Sequence, residues 1–212
     1  MKKIQLRKSL SEHLSRNKWQ YFCVTLSLII GVFAGSLTAT MKNAEFESLE
    51  TYIKNFVSAY SLQSVNNIDV FKFSIYNNIK VIIFMWVSGL WIWLMPMSIV
   101  QIFSKGYKLG VSATVFVRVF GIPGIFFSFV SMLPQILLLV PSLIIYAVFN
   151  IKFSFALYRT KGQRVSGNAK SEMYFKNFLH LIGIIFISLL CSLTDAFVMP
   201  VILKPTCLFL LK

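Results

Sequence analysis

The residues able to do chemistry in this sequence are few and far apart. Its 212 residues hold only 7 acids, 2 histidines and 3 cysteines. Cys23, Cys191 and Cys207 have no C-x-x-C spacing, and His13 and His180 stand alone, so no metal centre is expected. Phosphate-loop, H-E-x-x-H and G-x-S-x-G patterns are missing, and the scattered acids offer no carboxylate pair for glycoside hydrolysis. Cys191 and Asp195 lie one helical turn apart, but no His or Lys stands beside them to serve as a base. No catalytic, cofactor-binding or metal-ligating residue is therefore assigned, and the chain is read as a non-enzyme. Two charges still stand out because they fall inside apolar runs. Arg118 sits about nine residues from the inner end of its run, near the bilayer middle if the span is straight, or reaching back to the inner interface if the span starts later. Asp195 lies nearer the opposite face, so a direct pair with Arg118 is not expected.

The elements that position these residues are membrane helices. Hydrophobic residues are 57% of the chain and charged residues 13%, against roughly 25% charged in an ordinary soluble domain. Tyr21 to Thr40 and Val81 to Val100 are uncharged, and each matches the roughly 20 residues that cross a hydrocarbon core. The net charge of +14 sits at the ends of alternate apolar blocks, the positive-inside pattern, without any nucleic-acid-binding motif. The predicted fold is all-α and polytopic: five transmembrane helices in a single domain, amino terminus in and carboxy terminus out. A basic cytoplasmic arm (1–19) precedes span one (20–40), and an outer segment (41–78) leads to span two (79–101). A short inner loop carries Lys105 and Lys108. Spans three (109–132) and four (135–157), a basic cytoplasmic loop (159–176), span five (177–199) and an outer tail (200–212) complete the chain. Trp19 and Tyr21 suit an inner interfacial belt.

Local patterns add detail. Leu133-Pro134-Gln135 and Pro141 interrupt the longest apolar run. Proline removes an amide donor and clashes with the preceding turn, so Pro134 is expected to turn the chain between spans three and four, with Gln135 capping freed backbone groups. Pro141 and the Gly121–Gly124 stretch should kink the flanking spans. The result is a kinked or partly re-entrant hairpin, a device that transporters use around a midplane site. In span one, Ser27, Gly31, Gly35 and Ala39 recur every four residues and form a packing face. The covering helix could come from this chain, a second copy or another protein. In the outer segment Phe46, Leu49, Ile53, Phe56 and Tyr60 give an amphipathic helix, with Asn43 as its cap and Glu45 and Glu47 at the positive end of its dipole. Such a helix lies on lipid or docks a partner.

A basic arm, five spans, an outer loop after the first and the motif residues Lys105, Gly106, Gly110, Gly124, Leu133, Pro134, Gln135 and Pro141 resemble the stage II sporulation protein M family of endospore-forming bacteria. Wider relatives tend to carry a His-Gly and a Glu near Gly124; this chain has Pro123-Gly124 and no acid there, as in the sporulation branch. The resemblance implies a membrane scaffold for forespore engulfment, in the septal or mother-cell membrane. Its partners would be the peptidoglycan-degrading stage II sporulation proteins D and P, alongside membrane lipid and a second copy of the chain, with no nucleic acid and no cofactor. The alternative from a different class is a small transporter or channel subunit using the broken spans and Arg118.

Overall fold

A computed structural model describes residues 17–41, 47–55, 66–161 and 167–202. Expectations for the basic arm before Asn17, for Asn43, Glu45, Phe46, Phe56 and Tyr60, and for the tail after Ile202 lie outside the described residues. Those that are described are helical throughout, without a strand. Helix α1 is Lys18–Thr40, α2 covers 47–55, α3 is Asn67–Leu90 and α4 is Pro96–Phe120. Helices α5 (Ile122–Pro134) and α6 (Val140–Lys161) follow, joined by a π-helical turn at Gln135–Leu139. Helix α7 (Gly167–Leu193) ends in a second π-helical turn, Thr194–Val198. Four stretches are long and apolar enough to cross a membrane: Lys18–Thr40, Asn67–Leu90, Ile122–Thr160 and Lys170–Ile202. The protein is a polytopic α-helical membrane protein. Helix α4 has 25 residues, about 37 Å, but it carries Lys105, Lys108 and Arg118.

Each boundary has a local cause. The Asn66 side chain accepts from the Ile68 amide at 3.2 Å and donates to Asp69 at 2.9 Å, capping α3 and setting an acid at its positive end. A short 3₁₀ turn at Ile92–Leu94 reverses the chain, and Pro96 opens α4 in the first turn, where its missing amide costs nothing. Gly121 has φ 65°, a left-handed conformation that a side chain disfavours. Two residues later Pro123 sits in the first turn of α5.

This arrangement corrects three sequence expectations. The reversal falls at Gly121, not at Leu133-Pro134-Gln135, through which the chain stays helical. Here α5 folds back along α4: the Phe116 and Phe127 rings lie 5.0 Å apart, and Gly124 packs onto the Phe116 carbonyl. Pro134 is tolerated because the wide turn at Gln135–Leu139 absorbs the lost hydrogen bond before Pro141. Lys105 and Lys108 are not in an inner loop but in the middle of α4. The reversal that precedes α4 occurs earlier, at Trp91–Met95.

The centre of the fold is the α1–α4 seam. Ser27 Oγ donates to the Ile99 carbonyl at 3.2 Å, Gly31 faces Phe103, and Gly35 faces Tyr107. Higher up, Thr38 Oγ1 meets Tyr107 Oη at 3.0 Å, and Ala39 packs with Val115. The register rises together, so α1 and α4 run parallel. From α4, Gly106 and Gly110 press on the carbonyls of Leu28 and Val32. The small-residue stripe of span one is thus covered by the same chain. Near the start of α4, Ser88, Ser98 and Asn150 tie α3, α4 and α6 together: Ser88 and Ser98 are 2.9 Å apart, and Asn150 donates to Ser98 Oγ and to the Met85 carbonyl. Beyond Asn150, α6 runs past the start of α4. Tyr158 and Thr160 thereby reach Trp91, Trp93 and Lys170. Trp19, Trp91 and Trp93 are exposed at this end, as in an interfacial aromatic belt.

Candidate functional site

Two further polar constellations stand apart from the Ser88–Ser98–Asn150 tie. The first is a partly buried chain of side chains linking α3, α4 and α7. The Ser74 hydroxyl donates to Asp195 Oδ2 at 2.8 Å, and its oxygen lies 3.1 Å from Ser192 Oγ. Asn78 donates to Ser192 Oγ at 3.4 Å, and Lys105 Nζ donates to Asn78 Oδ1 at 3.4 Å. Asn78 is 4% exposed and Ser192 fully buried. An unpaired charge at membrane depth costs several kcal/mol. Here the Asp195 carboxyl and the Lys105 ammonium are joined through the neutral relay of Ser74, Ser192 and Asn78.

This chain forms one wall of a cavity of about 530 Å³. The opposite wall holds Ser112 and Phe116 from α4 and Phe127, Ser131 and Gln135 from α5 and the π turn after it. Lys108 lines the same space. Both π-helical turns border it, one beginning at Gln135 and the other holding Asp195. A π turn opens the backbone ladder and re-aims side chains, and such turns recur at functional sites. Gln135 therefore hydrogen-bonds the Asp195 carboxyl at the cavity wall and does not cap an outer turn, as its position after a proline had suggested.

The second constellation lies where the ends of α1 and α4 meet α2. Arg118 sits in the last turn of α4. Its guanidinium pairs with Glu50 at 2.8 Å and donates to the Ala39 carbonyl at 2.6 Å. One cation thus closes the end of α1 and clamps α2 onto the bundle. Ile53 of α2 packs against Ala39, Val115 and the Phe127 cluster. Leu49 and Tyr52 point away, at 39% and 68% exposure.

The structure draws together some of the singled-out residues and separates others. Gly31, Gly35, Gly106 and Gly110 meet in one seam, and Lys105 and Gln135 meet in one cavity. Arg118 stands with Glu50, apart from both. Gly124 serves the Gly121 hairpin, and Leu133, Pro134 and Pro141 flank the π turn. Sequence reasoning passed over Ser74, Asn78 and Ser192, and set Lys108 in a loop. The legible signal was a second small-residue register, Ser98, Ile102, Gly106 and Gly110 at four-residue spacing, all buried. That register makes residues 96–120 a packed helix, with Lys105 inside it. Among the described residues no three His, Cys, Asp or Glu side chains gather to hold a metal.

No curated protein and no solved structure is similar enough to this chain to match it. The family model described as Stage II sporulation protein M matches residues 24–200, most of the 212-residue chain. The match takes in α1 from Val24 onward, both glycine pairs of the seam, the Gly121 hairpin, the cavity, and all of α7 with the π turn that ends it. The chain belongs to the Stage II sporulation protein M family and is a sporulation membrane protein.

Proposed function

We propose that the protein is a non-enzymatic scaffold for forespore engulfment, holding the peptidoglycan-degrading stage II sporulation proteins D and P at the septal membrane of the mother cell. In this reading α1, α3, α4, the long α5–α6 helix and α7 make five crossings, amino terminus in and carboxy terminus out. The exposed tryptophans, together with Lys18, Arg159 and Lys170, then mark the cytoplasmic side. The α2 helix lies on the other side, where peptidoglycan is. The observation that carries the proposal is the geometry of α2. It is fixed to the bundle by Arg118–Glu50 and by Ile53, yet turns Leu49 and Tyr52 outward. An anchored helix with a free apolar face is suited to docking a partner helix. The small-residue stripe of α1 is already covered by α4, which leaves α2 as the better candidate surface.

Affinity capture of the tagged chain from sporulating cells, followed by mass spectrometry, tests this. The expected result is co-recovery of the two hydrolases and their loss from the double variant Leu49→Asp, Tyr52→Asp. Unchanged recovery from that variant would remove α2 as the docking face. A second reading, a transporter or channel subunit, is favoured by the polar cavity around Lys108 and Gln135. It requires Lys108→Gln to abolish function while the complex stays whole.

A further inference from the structure

The cavity invites a question that the scaffold reading leaves unanswered. Its polar lining is unbalanced. Asp195 is the only acid that lines it, against Lys105 and Lys108. Lys105 is committed: it donates to Asn78 within the relay that ends at Asp195. Among the described residues Lys108 has no carboxylate within ion-pair distance, although it borders the same space. Lys108 is exposed at the mouth of the cavity and thus offers its charge there without a protein carboxylate to hold it. Around it stand Asn77, Ser112, Ser131 and Gln135; Gln135 bonds Asp195 and keeps a second amide hydrogen to donate. Of these, Ser131 already donates to the Ser128 carbonyl at 2.9 Å, and its oxygen still faces the cavity.

The remainder of the lining is apolar: Phe73, Phe116, Phe127 and Met132 are among its residues. A lateral way in exists as well. The outer half of α3 and helix α5 make little contact with each other, and the cavity lies between them. Phe73 at its edge is 72% exposed. A pocket with apolar walls, one surplus ammonium and convergent neutral donors is built for an anionic oxygen group. A wholly apolar or cationic occupant would leave Lys108 without a counter-charge.

We infer that this cavity binds an oxyanion, a phosphate or carboxylate group, with Lys108 as its charge partner and Asn77, Ser112 and Gln135 as neutral donors. The group enters between α3 and α5, either as the head of an anionic lipid or as a free anion. The inference stands on the cavity alone and holds whether or not α2 docks a partner.

The test uses the full chain in neutral detergent, with thermal unfolding as the readout. A ligand that binds only the folded state raises the midpoint in a concentration-dependent way. One arm adds inorganic phosphate. The other compares nanodiscs of phosphatidylglycerol with nanodiscs of phosphatidylcholine. Lys108→Gln is the probing variant, and it should fold because Lys108 reaches the surface. Lys176→Gln, an exposed lysine outside the cavity, is the control. Stabilisation by phosphate identifies a free anion, and stabilisation by phosphatidylglycerol alone identifies a lipid headgroup. In either case the apparent affinity should fall about 10-fold or more in Lys108→Gln, the effect of losing one charged hydrogen bond, and should hold in Lys176→Gln. No stabilisation by either probe, or equal stabilisation of Lys108→Gln, overturns the inference.

Discussion

The α1–α4 seam makes a quantitative demand on its glycines. A Cβ added at Gly35 would overlap the Tyr107 carbonyl oxygen and stand 3.0 Å from both the Tyr107 carbonyl carbon and the Val111 amide nitrogen. All three are backbone atoms, so no side chain can swing aside and the helices must separate. Overpacking of this kind costs about 1–3 kcal/mol. Alanine returns up to about 1 kcal/mol through its better helix propensity, which leaves a net loss of roughly 0–2 kcal/mol at one site. Gly110→Ala meets the Val32 carbonyl in the same seam. Once one alanine has forced the helices apart, the second finds part of its space already made. The double variant should therefore lose less than the sum of the two single losses. Gly183 provides the internal reference. A Cβ there meets nothing within 4 Å, so Gly183→Ala should be stabilising by up to about 1 kcal/mol. Unfolding by sodium dodecyl sulfate in mixed micelles, followed by circular dichroism, reads all four proteins on one scale. If Gly35→Ala and Gly110→Ala match Gly183→Ala, or their losses add fully, the close parallel seam is wrong.

Three further outcomes are expected. With the native cysteines replaced, Phe116→Cys and Phe127→Cys should cross-link on mild oxidation, because their rings are 5.0 Å apart across the Gly121 hairpin. On one uninterrupted helix they would be about 16 Å apart and would not. Arg118→Gln should speed hydrogen exchange across residues 47–55 while costing global stability no more than about 1 kcal/mol, as fits a partly exposed ion pair. The charge-reversed pair Arg118→Glu, Glu50→Arg should restore part of the protection. Ser74→Ala removes the hydroxyl that holds Asp195 at 2.8 Å. It should lower stability by about 1–3 kcal/mol in the same unfolding assay.

The spacing of apolar blocks and basic clusters made the helical membrane class legible before any coordinates. So did the face of α1 formed by Ser27, Gly31, Gly35 and Ala39, because a four-residue period of small residues fits only helix packing. The hairpin was misplaced for a physical reason. Pro134 carries the stronger local penalty, but a membrane helix can accommodate a proline by widening one turn, as Gln135–Leu139 does. Gly121 left a fainter mark, since a left-handed glycine followed by a proline in the next helix's first turn reads equally well as a kink. Lys105 and Lys108 were assigned to a loop because charge was weighed above period. The run Ser98, Ile102, Gly106, Gly110 was in phase with the α1 stripe and would have placed both lysines inside a packed helix. Arg118 could not be located from one span alone. Its position depends on where α4 begins and on Glu50, which is remote in sequence.

The most direct measurement is complementation of engulfment. An endospore-forming strain lacking its own copy of this protein would express the wild type, Leu49→Asp with Tyr52→Asp, or Lys108→Gln, and membrane migration around the forespore would be followed by fluorescence microscopy. If the chain acts as a scaffold through α2, the double variant should reach normal membrane levels yet leave the septum flat. In the same assay Lys108→Gln should still complete engulfment. Engulfment completed by the double variant but blocked by Lys108→Gln would contradict the scaffold account and shift the function to the cavity.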